Sequence, residues 1–287
     1  MQGEAVRLRE KIVRLMHKSG VRFTCRQARS ASSHEAHRSM MLPARHAPTD
    51  PWAMARQPRR ELPDIPQHIV QRGNNRLPCF LDDHDRQRYL ALLREALLNT
   101  GCSLDAYVLM DNHVHLVATP SAIGTIARLM QKLGRGYVGK FNARQRRTGT
   151  LWEGRYKASR VDSESYALHC HRYIELNPVR ARMTDDPAAF AWSSGAAHCG
   201  LRPGAILSPH PEYTALASTP EARAQACRQL LYETLSDDDL KAIRTHLQQQ
   251  RALGHDDFRA IVEAKTQRFA GIRPPHRPPR DNSNGRG

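Results

Sequence analysis

The amino-acid sequence predicts a small α+β sandwich, with helices on one side of an antiparallel sheet, and three observations carry that reading. Between about His68 and Pro178, short apolar runs alternate with helical periodicity in the order strand, helix, hairpin, helix, strand, helix. Two of the apolar runs are separated only by Asp111-Asn112, so they pair as a hairpin. Between the hairpin and the last strand lies a clean apolar stripe at helical spacing.

Gln67 to Gln71 opens the order as a strand. Asp82 or Asp83 then caps a helix whose apolar positions Tyr89, Leu92, Leu93 and Leu97 recur every three to four residues. Leu104 to Met110 and His113 to Ala118 form the two arms of the hairpin. The next helix carries Ile123, Ile126, Met130, Leu133, Tyr137 and Phe141 at spacings of 3, 4, 3, 4 and 4. Gly149 to Val161 is loop and then strand, and a third helix runs from Ser163 to about Leu176, stopped by Pro178. Pro220 to Phe269 holds two or three more helical stretches, with Asp237 to Asp239 as a capping cluster. Residues 1–53 are Arg- and Ser-rich and read as a loose or non-native extension, and the composition change near Met54 marks that residue as the expected start. The tail 271–287 is rich in Pro, Arg, Asn and Gly and is expected to be disordered. The expected organisation is therefore a core unit at 54–200, a helical extension at 201–270 and loose ends.

Bulk properties narrow the partners. The 287 residues carry 44 Lys and Arg against 28 Asp and Glu, a formal charge of +16. A chain so basic fits a polyanionic partner, because Lys and Arg on phosphates release condensed counterions. The six cysteines are scattered with no C-x-x-C pair, which points to reduced thiols in the cytosol. No apolar run reaches membrane-spanning length, so no membrane partner is expected.

One motif carries chemistry. His113-Val-His115 lies on a strand, where the period of two sends both imidazoles to one face. Two imidazoles on one face can chelate a divalent metal. With 15 His in the chain, roughly one H-x-H arises by chance. A second, His169-Cys-His171, falls on a helix, where positions two apart diverge by about 200° and cannot share an ion. On that third helix Tyr166, Cys170, Tyr173 and Asn177 share a face. A tyrosine and an oxygen donor one turn apart, facing a His pair, suit metal-assisted phosphoryl transfer. Of the eight tyrosines, Tyr137, Tyr107 and Tyr89 are accounted for by apolar patterns, whereas Tyr173 has a polar neighbour at i+4. Asn177 precedes Pro178, which disfavours helical geometry there.

Five segments together resemble a known family. They are Gln67-His-Ile-Val-Gln-Arg-Gly-Asn-Asn75, Met110-Asp-Asn-His-Val-His-Leu-Val117, Gly149-Thr-Leu-Trp-Glu-Gly-Arg155, Tyr173-Ile-Glu-Leu-Asn-Pro-Val-Arg180 and Trp192-Ser-Ser194. In this order and over about residues 54–200 they resemble the IS200-like transposases, specifically the REP-associated tyrosine transposase branch. The resemblance implies a ferredoxin-like fold of the HUH type, with Mg2+ or Mn2+ held by His113, His115 and Asn177. It implies Tyr173 as a nucleophile that forms a 5′-phosphotyrosine link and releases a 3′-hydroxyl. The implied partner is single-stranded or hairpin DNA of the REP kind, in a cytoplasmic, nucleoid-associated protein, and a homodimer is admitted.

Phosphate contacts are then expected from the stripe Arg128, Lys132 and Arg135 and from Arg144, Arg146, Arg147, Arg155, Lys157 and Arg160, with Trp152 available for base stacking. Two other readings stay open: a catalytically silent hairpin binder derived from a transposase, and a metal-dependent hydrolase in which Tyr173 is structural.

Overall fold

The computed structural model describes residues 59–274. The expectations for residues 1–53, for Met54 and for most of the 271–287 tail lie outside the described residues. In chain order the elements are β1 (Gln67–Arg72), α1 (Asp83–Thr100), β2 (Cys102–Met110), β3 (His113–Pro120), α2 (Thr125–Arg144), β4 (Lys157–Arg160) and α3 (Ser163–Glu175). There follow three single turns, α4 (Asn177–Arg180), α5 (Gly195–His198) and α6 (Pro211–Thr214), and three longer helices, α7 (Pro220–Tyr232), α8 (Asp237–Gln249) and α9 (Asp256–Thr266).

The four strands form one antiparallel sheet in the order β2-β3-β1-β4. A strand order in which β3 fills the gap between β1 and β2 is the split βαβ of a ferredoxin-like unit, so the α+β expectation stands. Asp82 caps α1 as expected, accepting from the Asp85 N–H at 3.0 Å.

Strand periodicity divides the sheet into two faces. Ile69, Leu104, Tyr107, Leu109, Val114 and Leu116 turn one way and pack under α1 and α2 with Tyr89, Leu93, Leu133 and Tyr137. Ala106, Val108, Met110 and Val117 turn the other way, under α3 and α8. The sheet thus has helices on both faces, not one. The two crossover helices share a side as the connectivity requires, and α3, emerging after the fourth strand, is free to cross to the other. A bulge between Leu104 and Ala106 resets the alternation and buries Asp105.

Helix α2 starts later than its apolar stripe. Gly124 at φ 85° turns the chain into the helix, so Ile123 precedes it and is 68 % exposed. Pro178 ends α3, but its missing N–H is harmless in a first turn. Asn177 therefore opens α4, and the Arg180 N–H reaches the Leu176 carbonyl at 3.0 Å.

Both sheet edges are covered by later chain. Leu109 donates to Trp192 at 2.9 Å, and Ser194 and Ser208 donate to Tyr107 and Leu104 at 2.9 and 2.8 Å along β2. Leu253 donates to Arg160, and Asp162 to Leu253, each at 2.8 Å, along β4.

Candidate active site

The site grows from the face of β3 that α3 covers. His113 and His115 project together from it, as the period of two requires, with ring centres 5.0 Å apart at 80°. Each has its Nδ1 occupied. His113 donates to Asn112 Oδ1 at 2.6 Å, and His115 Nδ1 lies 2.8 Å from Nε2 of His68, a residue of β1. Because Asn112 Oδ1 can only accept, the His113 lone pair is on Nε2. Burial pushes the His113 imidazole down to about 4, with Arg72 adding to it. Burial likewise pulls His115 well below the ordinary value, reinforced by His68 and His113, and takes His68 down to about 3. All three rings are neutral at pH 7, the state in which an imidazole binds a metal.

Tyr173 descends from α3 onto this floor. Its ring centre is 5.9 Å from His115 and 5.6 Å from His68. The ring is 7 % exposed, and the residue lines a cleft of about 930 Å³ together with His113, His115 and Asn177. Arg180, carried back by α4, covers the ring's other side at 4.6 Å. Asn177 Nδ2 is buried without a partner. The remaining cleft wall is cationic: Arg59, Arg72, Arg76, Arg155, Lys157 and Arg244 line it, against one carboxylate, Glu153.

Among the described residues no group of three or more His, Cys, Asp or Glu side chains is arranged to hold a metal ion. The donor set at the cleft is instead two neutral imidazoles and the Asn177 amide, two nitrogens and one oxygen. Those donors would be the ones to hold a divalent cation at the cleft.

The structure sorts the remaining residues singled out in the sequence. His169 and His171 sit on α3 and diverge as expected: His169 Nδ1 lies 3.1 Å from the Ser165 carbonyl, while His171 stacks on His198 at 5.4 Å. Arg155 and Lys157 reach the cleft, and Lys157 also donates to Gln248 at 2.7 Å. Arg128, Lys132 and Arg135 are exposed on α2, behind the sheet and away from the cleft. Arg144 pairs with Asp82 and Asp85, so its charge is already matched. Arg147 donates to the Thr150 carbonyl at 3.1 Å, Arg160 donates to the Arg60 carbonyl, and Arg146 is exposed outside the cleft lining. Trp152 is not on the surface. Its indole is 7 % exposed and stacks on Tyr137 at 6.1 Å in the core, because the Gly73–Trp152 bridge pulls the loop inward.

Several participants escaped the sequence reading, Arg76 among them. His68 could be placed on a strand, but its neighbour depends on the β1–β3 register. Arg72, one residue past the expected end of the first strand at Gln71, pairs with His113 in that register. Arg180 depends on the turn after Pro178. Arg244 comes from α8, far along the chain.

Fold and cleft together define the class, an antiparallel α+β protein with a mostly cationic cleft on one face of its sheet. Residues 62–177 match the family described as Transposase IS200 like, a match that supports a transposase-type DNA-processing role. The chain is similar to the structure of the REP-associated tyrosine transposase bound to a REP hairpin, at 16 % identity and a TM-score of 0.42, covering 52 % of this chain and 89 % of that one. It is also similar to a candidate transposase from Deinococcus radiodurans R1, at 18 % identity and a TM-score of 0.29, covering 45 % of this chain and 92 % of that one. No curated protein matches it. No helix among the described residues is long and apolar enough to cross a membrane.

Proposed function

We propose that the protein is a metal-dependent single-stranded DNA endonuclease and strand-transferase that works through a covalent 5′-phosphotyrosine. The observation that carries this reading is Tyr173 held over the His113–His115 pair, 5.9 Å from His115, on the floor of a cationic cleft.

His113 and His115 would offer Nε2, and Asn177 its amide oxygen, to Mg2+ or Mn2+. When bound, the cation would neutralise the phosphate oxygens and orient the scissile group. Arg72, Arg76, Arg155 and Arg244 hold the flanking phosphates. The Tyr173 hydroxyl oxygen attacks the phosphorus, the bond from phosphorus to the 3′-oxygen breaks, and the phenolic proton is replaced by the new bond while the 3′-oxygen gains a proton as hydroxyl. Atoms and charge balance without ATP, because the phosphotyrosine keeps the phosphodiester's energy. Attack by another 3′-hydroxyl reverses the step and completes strand transfer.

The substrate class follows the family resemblance: a hairpin of the REP kind with a single-stranded flank. The test is incubation of the protein with Mn2+ and labelled hairpin DNA from its own genome, run on a denaturing gel beside Tyr173→Phe. A slow-migrating adduct that disappears in Tyr173→Phe supports the proposal. Nicking without adduct would mean hydrolysis by water, and binding without cleavage would mean a silent hairpin binder.

A further inference from the structure

We infer that His68 is the positioning residue that fixes which nitrogen His115 presents to the cleft, and that it restrains Tyr173 in the same contact. The inference rests on the proposed metal site and adds a residue to it.

In the sheet, Val70 is the partner of His115 and Val117 the partner of His68. The two histidines are therefore diagonal neighbours on one face, and a diagonal pair is within reach of ring-sized side chains. Their rings sit 5.0 Å apart at 33°, with His68 Nε2 and His115 Nδ1 at 2.8 Å. One of these nitrogens donates and the other accepts. If His115 donates, its Nε2 keeps a lone pair toward the cleft beside that of His113. If it accepts, its proton sits on Nε2, where a cation would have to displace it. His113 has the first arrangement imposed by Asn112; His68 does the same for His115.

Two details distinguish this from ordinary core packing. Whichever of the two nitrogens donates, His68 Nδ1 is buried with no partner. A buried ring nitrogen left unmatched is costly, so the pair is not arranged for stability alone. Moreover, His68 is 1 % exposed and meets the Tyr173 ring edge-on at 5.6 Å and 65°. One side chain thus touches a candidate ligand and the candidate nucleophile. Partners that orient a ligating histidine typically change metal affinity about 10- to 100-fold when removed.

The experiment uses the full chain without DNA. Mn2+ binding is followed by the electron paramagnetic resonance of free Mn2+, and the His115 tautomer by imidazole 15N shifts, for wild type, His68→Phe, His68→Gln and His115→Ala. His68→Phe keeps a ring but has no acceptor, and His68→Gln places an oxygen near the lost Nε2. We expect His68→Phe to weaken Mn2+ binding about 10- to 100-fold and His68→Gln to recover most of it. His115 should carry its proton on Nδ1 in wild type and as a mixture in His68→Phe. Should His68→Phe fail to fold, His68→Leu serves as the acceptor-free variant. Wild-type affinity and an unchanged tautomer in the acceptor-free variant would overturn the inference. If wild type and His115→Ala alike bind no Mn2+, the metal reading fails, while the tautomer still decides the role of His68.

Discussion

The Arg180 guanidinium lies 4.6 Å above the ring of Tyr173 and also donates to the Tyr173 main-chain carbonyl. The single turn begun at Asn177 folds it back onto the residue seven positions earlier. Burial lowers Arg180 to about 10, opposed by Tyr173 and helped by Arg244, so it stays charged at pH 7. In the proposed reaction, a charge held over the ring would offset the negative charge that passes through the attacking oxygen.

Replacing Arg180 with Gln should therefore slow adduct formation while leaving strand binding nearly intact. A cation–π contact of ~1–2 kcal/mol corresponds to about a five- to thirty-fold loss in single-turnover rate. An unchanged rate would reduce Arg180 to a packing residue.

The cationic cleft makes a length-dependent prediction. Arg155→Ala with Lys157→Ala should weaken even a short strand and lower its salt slope by roughly 1.4, at about 0.7 per phosphate contact. Replacing Lys132 and Arg135 together should spare a strand that fills only the cleft, because both lie behind the sheet, and should weaken a hairpin long enough to wrap around. Fluorescence anisotropy at several salt concentrations separates the two; equal losses for the short strand would contradict the geometry.

Stability should depend on pH through Asp105. Burial pushes its carboxyl up to about 7, against the opposing influence of the Thr119 hydroxyl and His198. A folded value above the unfolded one, about 3.9, means stability fully present below that lower value and lost as pH rises through about 7. Asp105→Asn keeps an acceptor for Thr119 without the charge. It should be more stable than wild type at pH 8, on the order of 2 kcal/mol, and indistinguishable at pH 4; urea melts at the two pH values would show it.

Tyr137 ties α2 to the loop before α1. Its hydroxyl donates to the Cys79 carbonyl at 2.6 Å, and its ring meets Tyr89 edge-on at 5.2 Å. Tyr137→Phe should cost ~1 kcal/mol through the lost hydrogen bond, and Tyr137→Ala ~3–5 kcal/mol through the cavity. Equal denaturation midpoints for Phe and wild type would mean that water replaces the bond.

What was legible in the sequence was whatever depends on local periodicity. The parity of His113 and His115, the face shared by Tyr166, Cys170 and Tyr173, and the divergence of His169 and His171 all follow from residues per turn. What escaped depends on long-range registration. Nothing near His68 in sequence says that it will meet His115, and nothing near Arg244 says that α8 will wall the cleft. Arg144 resembled a free cation because its partners Asp82 and Asp85 lie about sixty positions earlier. Trp152 resembled a surface aromatic because a Gly-flanked loop reads as exposed, and only its pairing with Gly73 carries it inward.

The chain segments laid along β2 and β4 reach beyond geometry to handling of the protein. Residues 62–177 contain the whole family match, yet the loop segments that cap the sheet's rims are those of Trp192, Ser194, Ser208 and Leu253. An excised 62–177 fragment would leave rows of main-chain donors and acceptors bare beside the apolar face of Val108 and Met110. Such a fragment is built to stack strand on strand with its own copies and precipitate, so the solubility of the family-matching segment is supplied by chain that lies beyond it.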